Sequence, residues 1–417
     1  MMGGEMLKSY EVLKNRDFLC LFLSATTSKL GTSFFQIALP LLVYDLTKSP
    51  SLMALTFVLE ITPQVLFSLL GGALADRISK KYILLIGDIL SAILIIIIPL
   101  AASINVLDIW IVYVVAFLIS AVSAFYHPSF ESVIPEILEG ENLIQGNSLF
   151  KLSETITTFA GPSIAGILIA LVGTHNLLYF NFFTYFLSGI FIGLITKKYK
   201  SQNPVNSSIM NSIAEGVKYV INTKKILIGT ILIFLINVGY GAMEALFMFH
   251  LKDNLHLSAQ YIGLIFSLQT LGSFVAIYAA NKLNKLPRGN IIIYCGVIIG
   301  LGQTILTFSN TAVILLIVCR IVIVGSVTLL AINWFTLRQE IVPSALLGRV
   351  ISSTRMLAFL ALPISGMLAG VAAEYISVSL IFISAGILTI VASLIGIKTS
   401  LFETQQSIDQ PINSSNK

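Results

Sequence analysis

Four ionisable side chains interrupt runs that are otherwise apolar: Lys29, Glu60, Glu244 and Arg320. A charge costs at least about 2.5–3.5 kcal/mol at the centre of a membrane helix, so such residues are kept there for pairing or for chemistry. Two cations and two carboxylates suit proton exchange. A carboxylate releases its proton beside a cation and takes one back when it loses that partner in an apolar cavity. Lys29 and Glu60 are expected near mid-depth on sequence-adjacent helices, and Glu244 and Arg320 in the outer part of the second half. Two roles stay open. The pairs could be permanent and fix helix packing. Alternatively, Glu60 and Glu244 carry protons, with Lys29 and Arg320 as their partners or as anion-binding groups for a carboxylate-bearing substrate.

Other chemistries lack their residues. The sequence holds no phosphate-binding glycine loop, no metal-ligand spacing and no nucleophile constellation, so neither an enzyme, a cofactor, a metal site nor internal ATP-driven transport is expected. Cys20, Cys295 and Cys319 fall inside apolar runs and read as small core residues. His127 beside Pro128 reads as a hydrogen-bonded interface histidine. Asp88 and Glu154 are expected near the cytoplasmic mouth, Asp88 supporting the loop before it. Glu131, Glu136, Glu139 and Glu141 form an acidic stretch expected to pair with neighbouring basic loops.

The elements that position these residues are membrane helices. Of the 417 residues, 56% are hydrophobic and 11% charged, less than half the charge of a typical soluble domain, which is about 25% charged. Apolar stretches of about 20 residues recur, each long enough to cross a hydrocarbon core of about 30 Å. Satisfying the backbone in lipid then demands helices. Twelve spans are expected, at about 18–44, 51–74, 82–102, 108–130, 148–172, 177–196, 226–250, 258–280, 290–308, 311–336, 352–372 and 377–397. Residues 1–196 form one six-helix half and 226–398 the other. A cytoplasmic linker, 197–225, joins them and includes an amphipathic piece over 213–222; a disordered cytoplasmic tail, 399–417, follows. With both termini inside, about 21 of the 25 Lys and Arg lie in cytoplasmic segments or at the cytoplasmic ends of spans; Lys48 and Lys252 lie outside, and Lys29 and Arg320 lie deeper within spans. The protein is therefore read as a multi-pass cell-membrane protein with cytoplasmic termini.

The halves echo one another. Asp76-Arg77-Ile-Ser-Lys80 after span two has a counterpart in Asn281-Lys282-Leu-Asn-Lys285 after span eight. Glu131 and Pro135 after span four are matched by Gln339 and Pro343 after span ten, at a nearly equal offset. In the first of these loops, Gly72, Asp76, Arg77, Lys80 and Lys81 resemble the signature of the major facilitator superfamily, with Ser79 where a glycine is usual. The resemblance implies two pseudo-symmetric six-helix bundles working by alternating access. These five residues would then be a conformational latch that touches no substrate. Gly161, Pro162 and Gly166 in span five resemble the motif of family antiporters, with Ala165 replacing one glycine, and imply export. The stretch Asn15-Arg16-Asp17-Phe18, the run Ala38–Thr47, Pro128, Pro135 and the segment around Gly348-Arg349-Val350 look like the macrolide-efflux and siderophore-exporter branch of drug:proton antiporters. Thr32 and Asn181 stand where members often carry Asp, so proton coupling cannot be copied residue by residue.

The resemblance implies proton-coupled export of an amphipathic small molecule, with protons and the bilayer as further partners, no nucleic acid, and a monomer. A lipid or lysolipid flippase, a dedicated siderophore or metabolite exporter, and a nutrient importer share the fold. A non-transporting membrane sensor is the reading from another class.

Overall fold

The computed structural model describes residues 12–77, 79–196, 209–308 and 312–402; the side chains of 68–77, 141, 209–213 and 345 also lie outside the described set. The described chain is helical. The helices are α1 (Arg16–Thr47), α2 (Pro50–Arg77), α3 (Lys80–Ser103), α4 (Ile109–Ile137), α5 (Glu141–Val172), α6 (Thr174–Leu194), α7 (Ile209–Asn222), α8 (Lys224–Phe249), α9 (Ala259–Leu268), α10 (Leu271–Lys282), α11 (Arg288–Leu306), α12 (Val313–Ile341), α13 (Ser344–Phe359), α14 (Ala361–Ala372) and α15 (Val378–Gly396). A π turn, His250–Asn254, prolongs α8. With α9–α10 and α13–α14 each counted as one interrupted span, the described residues contain twelve helices long and apolar enough to cross a membrane. The short helix expected in the linker is α7; residues 197–208 of the linker and 403–417 of the tail lie outside the described set.

The helices form two compact units. One holds α1 to α6 together with Ala245–Leu268, and the other holds α7, the rest of α8 and α10 to α15. In the first, α1 packs on α5 and α6 and only lightly on α2, while α3 packs on α4 and α6. In the second, α11 packs between α12 and α15.

Local chemistry fixes the helix ends. Asn15 caps α1 by accepting from the amides of Asp17 and Phe18 at 3.0 and 3.1 Å. Asp17 accepts from the amide and hydroxyl of Thr196 at 2.8 and 3.0 Å, tying the start of α1 to the end of α6. Phe18 is fully buried against Val12 and Leu138. The Asn15–Phe18 motif is thus a cap, a tether and an anchor in four residues.

The internal repeat shows as matched ion pairs. Lys80, the first residue of α3, pairs with Glu136 near the end of α4. Arg288, the first residue of α11, pairs with Glu340 near the end of α12 at 3.3 Å. The same corner of each unit is pinned by a cation at a helix start and a carboxylate at a helix end.

Candidate functional site

In the first unit, α1, α4 and α5 enclose a cavity of about 280 Å³. Lys29 and Glu154 face each other in its wall, Nζ to Oε1 at 3.2 Å, and Lys151 reaches the other carboxylate oxygen at 2.8 Å. Tyr126, Phe130 and Phe150 supply its aromatic surface, and His127 and Glu131 also line it. The charges stay accessible: the side chains of Lys29 and Glu154 are 35% and 42% exposed. A cavity with an open ion pair and three aromatic rings can hold an amphipathic molecule with one charged end.

The spacing of α1 and α5 at this level depends on Gly161. A Cβ there would lie 2.5 Å from the Cβ of Ser33, one helical turn beyond Lys29. The rest of the motif faces α9. A Cβ at Gly166 would lie 2.3 Å from the carbonyl oxygen of Ala259, and one at Gly263 would lie 2.2 Å from that of Pro162. The amide and hydroxyl of Ser163 both donate to Ser267 Oγ, at 3.1 and 2.8 Å. Gly161, Pro162 and Gly166 therefore form a small-residue face that lets two neighbours approach at backbone distance.

Lys29 does not meet Glu60. The expectation that adjacent spans bring these two together fails because α1 packs on α5 and α6 and barely on α2. Its partner Glu154 was expected at the cytoplasmic mouth and instead sits a cavity wall deep. The Glu60 carboxylate has a buried Oε1 with no hydrogen-bond partner among the described residues.

In the second unit, Glu244 of α8 and Arg320 of α12 meet, Oε1 to Nη1 at 2.6 Å. Arg320 is 1% exposed, and its Nε donates to Oε1 of Gln269 at 2.9 Å, in the break between α9 and α10. Tyr240, one turn before Glu244, lies within electrostatic reach of the same carboxylate. A guanidinium this deep needs several acceptors, and the helix break places Gln269 as one of them.

Of the expected latch, Lys80 pairs with Glu136 and donates to the carbonyl of Ser132 at 3.2 Å. Lys81 donates to the carbonyls of Gly193, at 3.1 Å, and Ile195, capping the C-terminal end of α6. Gly72, Asp76 and Arg77 belong to α2, but their side chains lie outside the described residues. Asp88, expected to support that loop, is 1% exposed and turned inward, where Ser188 donates to it at 2.7 Å and Tyr126 at 3.4 Å.

Residues 8–416 match a family model described as a transmembrane secretion effector, a facilitator-type family. The chain belongs to the major facilitator superfamily. This facilitator is 23% identical over 373 residues to the multidrug efflux pump Tap of Mycolicibacterium fortuitum, covering 87% of this chain and 90% of that protein. It is 22% identical over 370 residues to macrolide efflux protein A of Streptococcus pyogenes, with the same coverage of 87% and 90%. Among solved structures, the nucleoside transporter NupG superposes with a TM-score of 0.79 at 15% identity, over 93% of this chain and 100% of that one. The POT family transporter PepTSo gives 0.76 at 12% identity, over 95% and 99%. At these identities the structural likeness speaks to the fold, which is the twelve-helix facilitator fold expected from the sequence. The relatives are transporters and efflux pumps, in keeping with a multi-pass membrane transporter.

Proposed function

We propose that this facilitator is a secondary active exporter that expels an amphipathic small molecule in exchange for protons. The observation that carries the reading is the Lys29–Glu154 pair, open to a cavity lined by Tyr126, Phe130 and Phe150. An ion pair held in water-accessible space is neither a buried strut nor a surface ornament. Its carboxylate can trade the lysine for a proton, and a cationic end of a substrate can do the same. Two efflux pumps among the relatives favour export over import.

Glu244 is the proposed proton carrier of the second unit, with Arg320 holding its ionised form. Glu60 keeps its proposed role as a proton carrier, now without a cation partner among the described residues, and Lys29 passes to Glu154. The residues Gly72, Asp76, Arg77, Lys80 and Lys81 remain the proposed latch, and Gly161, Pro162 and Gly166 the antiporter-type face. The distribution of basic residues supports a cell-membrane protein with both termini in the cytoplasm, and a monomer is proposed as the default of this architecture.

The test is accumulation of a panel of dyes and antibiotics in an efflux-deficient bacterial host, with and without protonophore. The reading expects lower accumulation on expression, recovery with protonophore, and loss of protection in Glu154→Gln and Glu244→Gln. If no compound responds while the protein reaches the membrane, multidrug export gives way to a dedicated metabolite or lipid substrate.

A further inference from the structure

One buried acid takes no part in the pairs described above. Asp88 of α3 is 1% exposed, and no Lys, Arg or His among the described residues lies within ion-pair distance of it. Its surroundings are hydroxyls from three other helices. Ser188 of α6 donates to Oδ2 at 2.7 Å and Tyr126 of α4 at 3.4 Å, and the Ser28 hydroxyl of α1 lies close to the carboxylate. Ser24 of α1 completes the set, its Oγ lying 2.8 Å from that of Ser188. Two of these groups, Ser28 and Tyr126, also line the cavity that holds Lys29 and Glu154. The carboxylate is thus one hydroxyl removed from the open space of the proposed transport site.

We propose that Asp88 is a proton-binding site of the first unit, loaded and emptied through the cavity-lining hydroxyls of Ser28 and Tyr126. The inference rests on the proton-coupled reading above and names a residue that reading did not use. A cation partner would favour only the ionised acid, whereas a hydroxyl can donate or accept and so serves both forms. The geometry at Ser188 shows how. Its single proton has three acceptors in reach, Asp88 Oδ2 at 2.7 Å, Ser24 Oγ at 2.8 Å and the Ser24 carbonyl at 3.1 Å. With Asp88 ionised, the Ser188 proton points at the carboxylate. With Asp88 protonated, the acid donates to Ser188 Oγ and the Ser188 proton turns to the Ser24 carbonyl. No heavy atom has to move, and no buried group loses its partner. In the loading step a hydronium in the cavity gives a proton to a lining hydroxyl, which passes its own on to Asp88 and is regenerated. The other ionisable group within electrostatic reach of Asp88 is Tyr185 of α6, which is also within reach of Glu60 of α2. It can tune the site, but it supplies no positive charge.

The experiment is infrared difference spectroscopy of the full-length protein in liposomes, between mildly acidic and mildly alkaline buffer. Several carboxyls contribute C=O bands; one component of the unmodified protein's spectrum, the Asp88 band, is expected to be lost in Asp88→Asn and to return, shifted, in Asp88→Glu. Ser188→Ala should shift the band, because the acid loses the acceptor of its proton. If Asp88→Asn does not reach the membrane, Ser188→Ala decides the matter: an unmoved band overturns the assignment. A C=O spectrum that is the same in Asp88→Asn as in the unmodified protein overturns it as well. Transport is read separately. Proton-driven efflux without the Asp88 band would defeat the site and leave the exporter standing. A titrating Asp88 in a protein whose transport ignores the proton gradient would do the reverse.

Discussion

Replacing Glu244 by Gln tests whether the second-unit pair is what the geometry makes it. Arg320 is 1% exposed and Glu244 15%, so the change leaves a guanidinium in the interior without its countercharge. Breaking a buried pair from one side costs about 3–5 kcal/mol. Gln keeps the shape and a neutral acceptor for Nη1, and a hydrogen bond to a charged group is worth about 1.5–3 kcal/mol. Gln269 also keeps its bond to Nε at 2.9 Å. The net loss for Glu244→Gln should therefore be about 1–3 kcal/mol, with Glu244→Ala nearer the full value. Arg320→Gln leaves a carboxylate that can escape its isolation by taking up a proton, so it should cost less than Glu244→Ala. The double change removes both charges, and the cycle should return a coupling of about 2 kcal/mol. Unfolding in mixed micelles with increasing SDS measures each value. Two additive changes of less than about 0.5 kcal/mol each would refute the pair as drawn. The same proteins separate the two roles in transport. If the pair only fixes packing, the double variant folds and still transports. If Glu244 carries a proton, the double variant folds and proton-driven export is gone.

Three more outcomes follow from the geometry. Glu154→Gln, in a pair that is 35% and 42% exposed, should change stability by less than about 1 kcal/mol; thermal unfolding should barely move while export in the accumulation assay collapses. Ser163→Cys with Ser267→Cys replaces hydroxyls 2.8 Å apart; an oxidant should crosslink them and stop transport, and a reductant should restore it. The native Cys20, Cys295 and Cys319 are buried and should contribute little background. Lys80→Ala strips a side chain 9% exposed from Glu136 and the Ser132 carbonyl; it should cost about 3 kcal/mol, seen as earlier unfolding on heating, with Lys80→Arg largely preserving the pair.

Much of the fold is written in the sequence because lipid leaves few options. Twelve apolar runs had to be helices, and the helices fall where the runs do. The interfacial piece over 213–222 is the C-terminal part of α7, whose polar–apolar alternation stands out in an otherwise apolar chain. Glu244 and Arg320 could be matched because both stand out in their runs and few partners compete. Side-chain neighbours in the first unit were less legible, because hydropathy marks where a helix is greasy and not where it starts. Span five was expected from about 148, yet α5 begins at Glu141. Seven residues are about 10 Å of helix, so Glu154 was placed two turns too shallow. Counted from the helix starts, Lys29 is 13 residues after Arg16 and Glu154 is 13 after Glu141, which is the match that the apolar windows concealed.

Adjacency misled in the same way. Consecutive spans invite pairing, but α1 packs mainly on α6 and α5, so Lys29 and Glu60 are separated by the packing order of the helices. Asp88 was judged by its distance from the loop, whereas the signal lay in its neighbours. Ser24 and Ser28 stand one turn apart on α1, and Ser188 faces them from α6, a column of small hydroxyls with no obvious purpose until an acid is placed beside it. Such a column becomes readable only once the order of packing is known.

In the proposed mechanism a proton gradient drives export. The direct measurement uses the purified protein in liposomes carrying an imposed pH gradient, with a compound identified by the accumulation screen. Substrate movement should be driven by the gradient, and adding substrate should in turn collapse the gradient; Glu244→Gln should abolish both. Equal movement with and without the gradient, or movement that leaves it untouched, would contradict proton-driven export.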